Sequence, residues 1–322
     1  MNIGRRAALG AGLVLAAPRI VRAQGFPSRP LTLVIPFAAG GASDILARVL
    51  GQRLSVVLGV PVVADNRGGA GGTIGTEAVA RGGPDGHTIL WAHMGTMAVA
   101  PHVYPRLGYD PLRDLAPISV VARVPMALVV NKDLGVRNLA EFIALAKARP
   151  EEINYGTAGQ ASNTHIGMVA LEEAAGIKLT PVHYRGSGPV MTDLVAGTVK
   201  ATFTGAPAVV SLVRDGTIIG LGVSGRRPVA ALPGVAPVGQ TVPGFEVTQW
   251  HGIAAPGRTP PDIVAKLNEA VVAAVQSPEM RERLAAEGAD PDPTTPEAFR
   301  ALATEETARW GVLIRRVGLR AE

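Results

Sequence analysis

One pattern recurs four times in this chain: a buried apolar strand runs through a loop of glycine and other small residues straight into a helix. It appears at IPFAAGGASD (35–44), DNRGGAGGTI (65–74), NYGTAGQASNTH (154–165) and HYRGSGPV (183–190). Strands followed by helices in alternation build sheets with helices packed on their faces, so the pattern restricts the chain to an α/β architecture. LTLVIPF (31–37) is apolar on both faces, as in the interior of a parallel sheet. From Ser43 to Leu58 apolar residues return at Ile45, Leu46, Val49, Leu50, Leu54, Val57 and Leu58, the period of a helix lying on that sheet.

The alternation continues through PVVADN, a helix after GGAGG, and PDGHTILWA. VARVPMALVVN then reads as a strand, LAEFIALAKAR as a helix stopped by Pro150, INYGT as a strand, and 163–175 as a helix. A helix after RGSGP ends at Gly197, and VKATFTG and IIGLGVS are strands. ALPGVAPVGQTVPG is too rich in proline and glycine for regular structure. FEVTQWHGIAAP is extended, and from Thr259 the chain is mainly helical. Two strands, near 122–129 and 248–255, are placed to cross between two lobes. This predicts an α/β protein with lobe 1 built from 24–123 plus 250–322 and lobe 2 from 124–249.

The N-terminus carries an export signal. Polar and basic NIGRR precedes eleven apolar or glycine residues, Ala7 to Ala17, and Val21 and Ala23 supply the small residues before a cut after Ala23. The apolar run is too short to span a bilayer before Pro18 and Arg19 interrupt it. Arg5 and Arg6 admit the twin-arginine route beside the general secretory one. The expected location is therefore the periplasm, and a chain with no cysteine suits an oxidising compartment. Four of the 31 basic residues (Arg5, Arg6, Arg19, Arg22) lie in this signal and no acid does. The remaining 27 against 26 acids give the mature chain a net +1. With aromatics at 4% and no basic stripe, nucleic-acid binding is excluded.

Helix N-termini present unsatisfied amides and the positive end of the helix dipole, so each glycine loop is a candidate seat for an anion. Ser43 and Asp44 have an alternative role as helix-cap residues. No loop fits the P-loop, since none contains lysine, and HYRGSGPVM fails the dinucleotide fingerprint at Met191. The six histidines (87, 93, 102, 165, 183, 251) form no metal-binding helix pair, and GLGVSGR lacks the last glycine of a nucleophile elbow. His165 has two readings, ligand contact or local packing, and Trp91 and Trp250 are either core or cleft wall. No catalytic set, metal site or cofactor site is expected.

The pieces PSRPLTLVIPFAAGGASDILARVLGQRL, VPVVADNRGGAGGTIG, PDGHTIL, INYGTAGQASNTHIGM, HYRGSGPVMTDLVAGTV and GRRPVAALPGVAPVGQTVPGFEVTQWHGIAAPGRTPPDIV, with the closing helix bearing TPEAF and RW, cover the mature chain in order. Together they resemble the tripartite tricarboxylate transporter substrate-binding receptors, the Bug or TctC-like extracytoplasmic proteins. The resemblance implies a type II-like periplasmic binding protein holding a small carboxylate between its lobes and passing it to a two-component membrane permease, acting as a monomer. The alternative is a receptor used for sensing without a dedicated permease. It also implies the ligand residues: Phe37, Ala38, Gly40, Gly41 and Asp44 on one side, and Gln160, Ser162, Asn163, Thr164 and His165 on the other, with Tyr184 and 205–207 nearby. Arg185 would suit a second carboxylate, and Trp91 or Phe203 an apolar body. His87, Asp65 and Lys200 depart from the residues usual in that family, which are tyrosine, glutamate and aspartate.

Overall fold

The computed structural model describes residues 25–321; the signal segment and its cleavage site lie outside the described residues. Strand β1 (Leu31–Ile35) buries everything but Thr32, which is half-buried. It pairs in parallel with β2 (Val62–Asn66) on one side and β3 (Thr88–His93) on the other. Between them run α1 (Ala42–Leu58) and α2 (Thr73–Ala80). Leu46, Ala47, Leu50 and Leu54 form the buried stripe of α1 on β1, and the helix stops at Gly59, whose φ of 69° is left-handed and costs glycine nothing. After β3 the chain makes a wide, π-type helical turn at Gly95–Val99 and a short α3 (Ala100–Val103).

The longest strand, β4 (Leu115–Asn131), joins two sheets. From Leu115 to Pro125 it pairs antiparallel with β9 (Thr248–Pro256), and β9 pairs onward with β3. From Met126 it pairs instead with β7 (Ala201–Gly205) and, at Ala127, with β8 (Ile218–Val223). The change of partner falls at Pro125, which has no amide to give to a ladder. The next amide, Met126 N, donates to Ser224 Oγ at 2.8 Å, and that hydroxyl donates to the Val247 carbonyl. Ser224, in the sequence motif that fails as a nucleophile elbow, thus stitches the two passages of chain together where they cross.

The second sheet adds β5 (Asn154–Thr157) and β6 (Thr180–His183), parallel to each other. Helices α4 (Leu139–Ala148), α5 (Asn163–Ala175), α6 (Ser187–Ala196) and α7 (Val210–Arg214) belong to it. The order through both sheets is β2-β1-β3-β9-β4-β7-β5-β6, with β8 and the two-residue β10 (Asp290–Pro291) also on β4. Helices α8 (Pro261–Gln276), α9 (Pro278–Ala286) and α10 (Pro296–Val317) return to the first sheet. Leu267, Val271, Val275 and Leu284 of α8 and α9 share a core with α1 and β1, while Phe299, Trp310 and Ile314 of α10 close the opposite face. The molecule is an α/β protein of two lobes joined through a bent, continuous sheet.

Both tryptophans left open by the sequence are core residues. Trp91 is fully buried and donates to His251 Nδ1 at 3.1 Å; Trp250 packs edge-on against Phe299, with ring centroids 5.3 Å apart. The helical turn at 95–103 is a feature that strand and helix periodicity does not signal.

Candidate functional site

The loop after β1 is shaped by Asp44. Its carboxylate accepts the Gly40 amide at 3.0 Å, Asn66 Nδ2 at 2.9 Å and Arg48 Nε at 2.9 Å. The side chain is buried and spent on the loop, so Asp44 fixes the path of 38–41 from behind. Gly41 is the N-cap of α1 in extended conformation and supplies no side-chain acceptor, which leaves the amides of the first turn open.

The facing loop after β5 is held the same way by its own side chains. Ser162 caps α5 by accepting the His165 amide at 3.3 Å, and Thr164 Oγ1 accepts the Ala158 amide at 2.7 Å. His165 Nδ1 accepts the Ala161 amide at 3.3 Å, and the ring packs edge-on against His183 with centroids 4.8 Å apart. Burial, reinforced by His183, lowers the His165 pKa to about 3, so the ring is neutral and engaged within its own loop. Gln160 faces outward. Its carbonyl accepts Tyr104 OH at 2.9 Å, and its amide donates to the Arg320 carbonyl at 2.9 Å, tying this loop to the turn after β3 and to the chain's end.

The two loops meet a third. Ala38 N donates to the Arg185 carbonyl at 3.0 Å, and Tyr184 OH donates to Asp193 at 2.5 Å; burial, with Asp193 beside it, pushes the phenol up to about 12. The glycine cluster 68–72 lies where these backbones converge. A side chain at Gly71, whose φ is 63°, would run into the Gln160 carbonyl, and one at Gly68 would stand 2.9 Å from Ala38 N. Here glycine is required by close approach of main chain to main chain. The lobes are closed on one another.

Between them Phe37, Gly41, Ala42, Ser43, Ala158, Asn163, Ser187, Thr204 and Gly205 line a narrow pocket of about 10 Å³, about the room of one water. The N-termini of three helices, α1, α5 and α6, converge on this space. No lysine, arginine, aspartate or glutamate lines it, so its positive potential comes from helix ends and amides. Of the residues expected from sequence, Phe37, Gly41 and Asn163 line the pocket. Ala38, Gly40, Asp44, Gln160, Ser162, Thr164, His165 and Tyr184 lie in the loops around it, shaping or latching them. Ala42, Ala158, Ser187 and Thr204 line it without having been singled out. Ser187 sits in a glycine loop that the sequence did flag, whereas Thr204 is an ordinary strand residue with no local signal. His87, Asp65 and Lys200 lie away from the pocket: His87 Nε2 accepts the Ser28 amide at 3.2 Å, and Asp65 pairs with Arg67 at 2.8 Å. A wider surface groove between α8 and α10 is lined by Glu297 and Glu305 with the single cation Arg300, a net negative lining that suits an acid less well. Among the described residues no cluster of three or more His, Cys, Asp or Glu is arranged to hold a metal.

A cleft of helix N-termini closed between two α/β lobes, with a charge-free lining, defines a binding protein for a small solute. The chain matches the tripartite tricarboxylate transporter family receptor profile over residues 46–319, and it belongs to that family. It is similar to Protein BugT of Bordetella pertussis, 37% identical over 94% of this chain and 93% of that one. Among solved structures it resembles the R. palustris protein Rpa4515 with adipate (35% identity, TM-score 0.89, 92% of this chain and all of the other). It also resembles MatC of Rhodopseudomonas palustris with bound malate (32% identity, TM-score 0.85, 90% of this chain and all of the other). The protein is thus a periplasmic receptor and not an enzyme.

Proposed function

We propose that the mature chain captures a small carboxylate in this cleft and presents it, closed, to a two-component membrane permease. The observation that carries the reading is the convergence of three helix N-termini on a pocket that contains no side-chain charge. Such a site favours an anion while paying little to desolvate cations of its own. The carboxylate would rest on the first-turn amides of α1 and α5, with Ser43, Asn163, Ser187 and Thr204 as side-chain partners and Phe37 as an apolar wall. Ala38, Gly40, Asp44, Gln160, Ser162, Thr164, His165 and Tyr184 would hold those amides in place. That Rpa4515 is solved with adipate and MatC with malate supports an acid of this size.

The lobes would be 24–123 with 250–322, and 124–249, hinging where β4 changes partner and where the chain enters β9. Residues 1–23 would be the export signal, and the receptor would act as a monomer. Ligand bound only to the closed form drives closure by its differential affinity. Native mass spectrometry of gently purified protein, followed by thermal-shift screening of di-, tri-, amino and aromatic carboxylates, tests the reading. A true ligand at about 100 times its Kd adds roughly 2.7 kcal/mol, a rise of roughly 4 °C for a chain of this length. No co-purified acid and no shift across the set would refute it.

A further inference from the structure

Gln160, on the loop between β5 and α5, is gripped at both ends by groups of the other lobe. Its main-chain carbonyl accepts Tyr104 OH at 2.9 Å, and its side-chain amide donates to the Arg320 carbonyl at 2.9 Å. Both partners belong to one braced unit. Pro105 biases Tyr104 towards extended backbone, which ends α3 at the residue that carries the phenol. Gly318, with φ 66°, turns the chain off α10, and the Ala321 amide then donates to the Val103 carbonyl at 2.8 Å. Burial pushes the Tyr104 hydroxyl up to about 12, so it remains a protonated donor.

The residue after Gln160 is the strained point of the loop. Ala161 is 1% exposed and has φ 60°, a left-handed backbone that alanine takes at a steric cost and glycine does not. Its amide donates to His165 Nδ1 at 3.3 Å, and the Ser162 amide closes the turn onto the Gly159 carbonyl at 3.1 Å. This turn delivers Ser162, the N-cap of α5, and Asn163, which lines the pocket. Relaxation of Ala161 to right-handed or extended backbone would swing the start of α5 away from the pocket, because rotation about one backbone bond redirects everything after it. Strain of this kind persists where the surroundings over-determine it. The bonds that close the turn within its own lobe are long, whereas the grip on Gln160 is shorter and comes from across the cleft.

We propose that Tyr104 is a positioning residue for the anion seat: with the Arg320 carbonyl it clamps Gln160 across the cleft and holds Ala161 left-handed, so that the α5 amides face the pocket only in the closed form. This rests on the carboxylate reading of the cleft and on the division into lobes. Calorimetric titration with succinate, adipate, citrate, glutamate and benzoate tests it, the acid that binds the wild-type protein most tightly being followed through the variants. Tyr104→Phe keeps the ring and loses only the donor, and its affinity is expected to fall roughly fivefold, the worth of one hydrogen bond. Adding Ala161→Gly to Tyr104→Phe is expected to bring the affinity back to within about twofold of the wild type, because glycine holds the left-handed turn without the clamp. A merely structural loss at Tyr104 would not respond to residue 161. Thermal melts confirm that each variant is folded. Wild-type affinity in Tyr104→Phe, or a loss that Ala161→Gly leaves unrepaired, overturns the clamp and leaves carboxylate capture standing. If none of the five acids binds the wild-type protein, carboxylate capture itself fails and the clamp falls with it.

Discussion

Closure of the cleft can be blocked by a single methyl group without harming either lobe. Gly188 lies in the first turn of α6 with no unusual φ, so alanine is compatible with its backbone and improves the helix by up to about 1 kcal/mol. In the closed form, however, a Cβ at 188 would overlap the Ala39 carbonyl oxygen across the cleft and stand 3.1 Å from the Ala39 carbonyl carbon and 3.5 Å from the Gly40 carbonyl carbon. These are backbone atoms that cannot rotate aside, so the lobes must part by roughly an ångström, on the scale of overpacking that costs about 1–3 kcal/mol. Parting them also stretches the bond from Ala38 N to the Arg185 carbonyl, worth about 1 kcal/mol. The closed form of Gly188→Ala should therefore lose about 3 kcal/mol, weakening ligand binding on the order of 100-fold. The free protein should melt at the same temperature or slightly higher. Titration with whichever acid gives the largest thermal shift, alongside melts of the free protein, measures both. Wild-type affinity in the variant would refute closure at this contact, and a drop in the melting temperature of the free protein would show that the damage lies within the lobe.

Acid should destabilise the fold through its buried histidines. Burial holds His251 and His165 at about 3 and His93 well below its ordinary value, so all three stay neutral in the folded state. The unfolded chain protonates them below about 6.5 and so binds more protons. Their contribution is intact above that pH and is lost between about 6.5 and 3, by about 1.4 kcal/mol per pH unit for each histidine. Urea midpoints should fall from pH 7 to pH 5, and less steeply in His251→Phe; midpoints independent of pH would contradict this. Ser162→Ala removes the α5 cap and should cost about 1 kcal/mol by denaturant titration. Ser224→Ala leaves Met126 N and the Val247 carbonyl unpaired where the sheets cross, and should cost about 1–3 kcal/mol; a neutral result would mean that the crossing does not depend on this hydroxyl.

The sequence by itself determined the layers and the nature of the seat. Largely apolar strands such as LTLVI belong in the interior, the stripe of α1 at 46, 47, 50 and 54 can only face them, and a glycine loop between strand and helix exposes amides wherever it is folded. These are local properties, set by residue type and period, and they led directly to the loops at 37–44 and 160–165. Tertiary structure decided which residues meet. That Asn66 reaches Asp44, that His183 packs against His165, and that Thr204 reaches the pocket depend on separate strands lying side by side. The same holds for the buried amide of Gln249. No local pattern separates an interior glutamine from an exposed one until β4 and β9 pair and Gly205 arrives beside it, because burial belongs to the packed sheet and not to the strand that carries the residue.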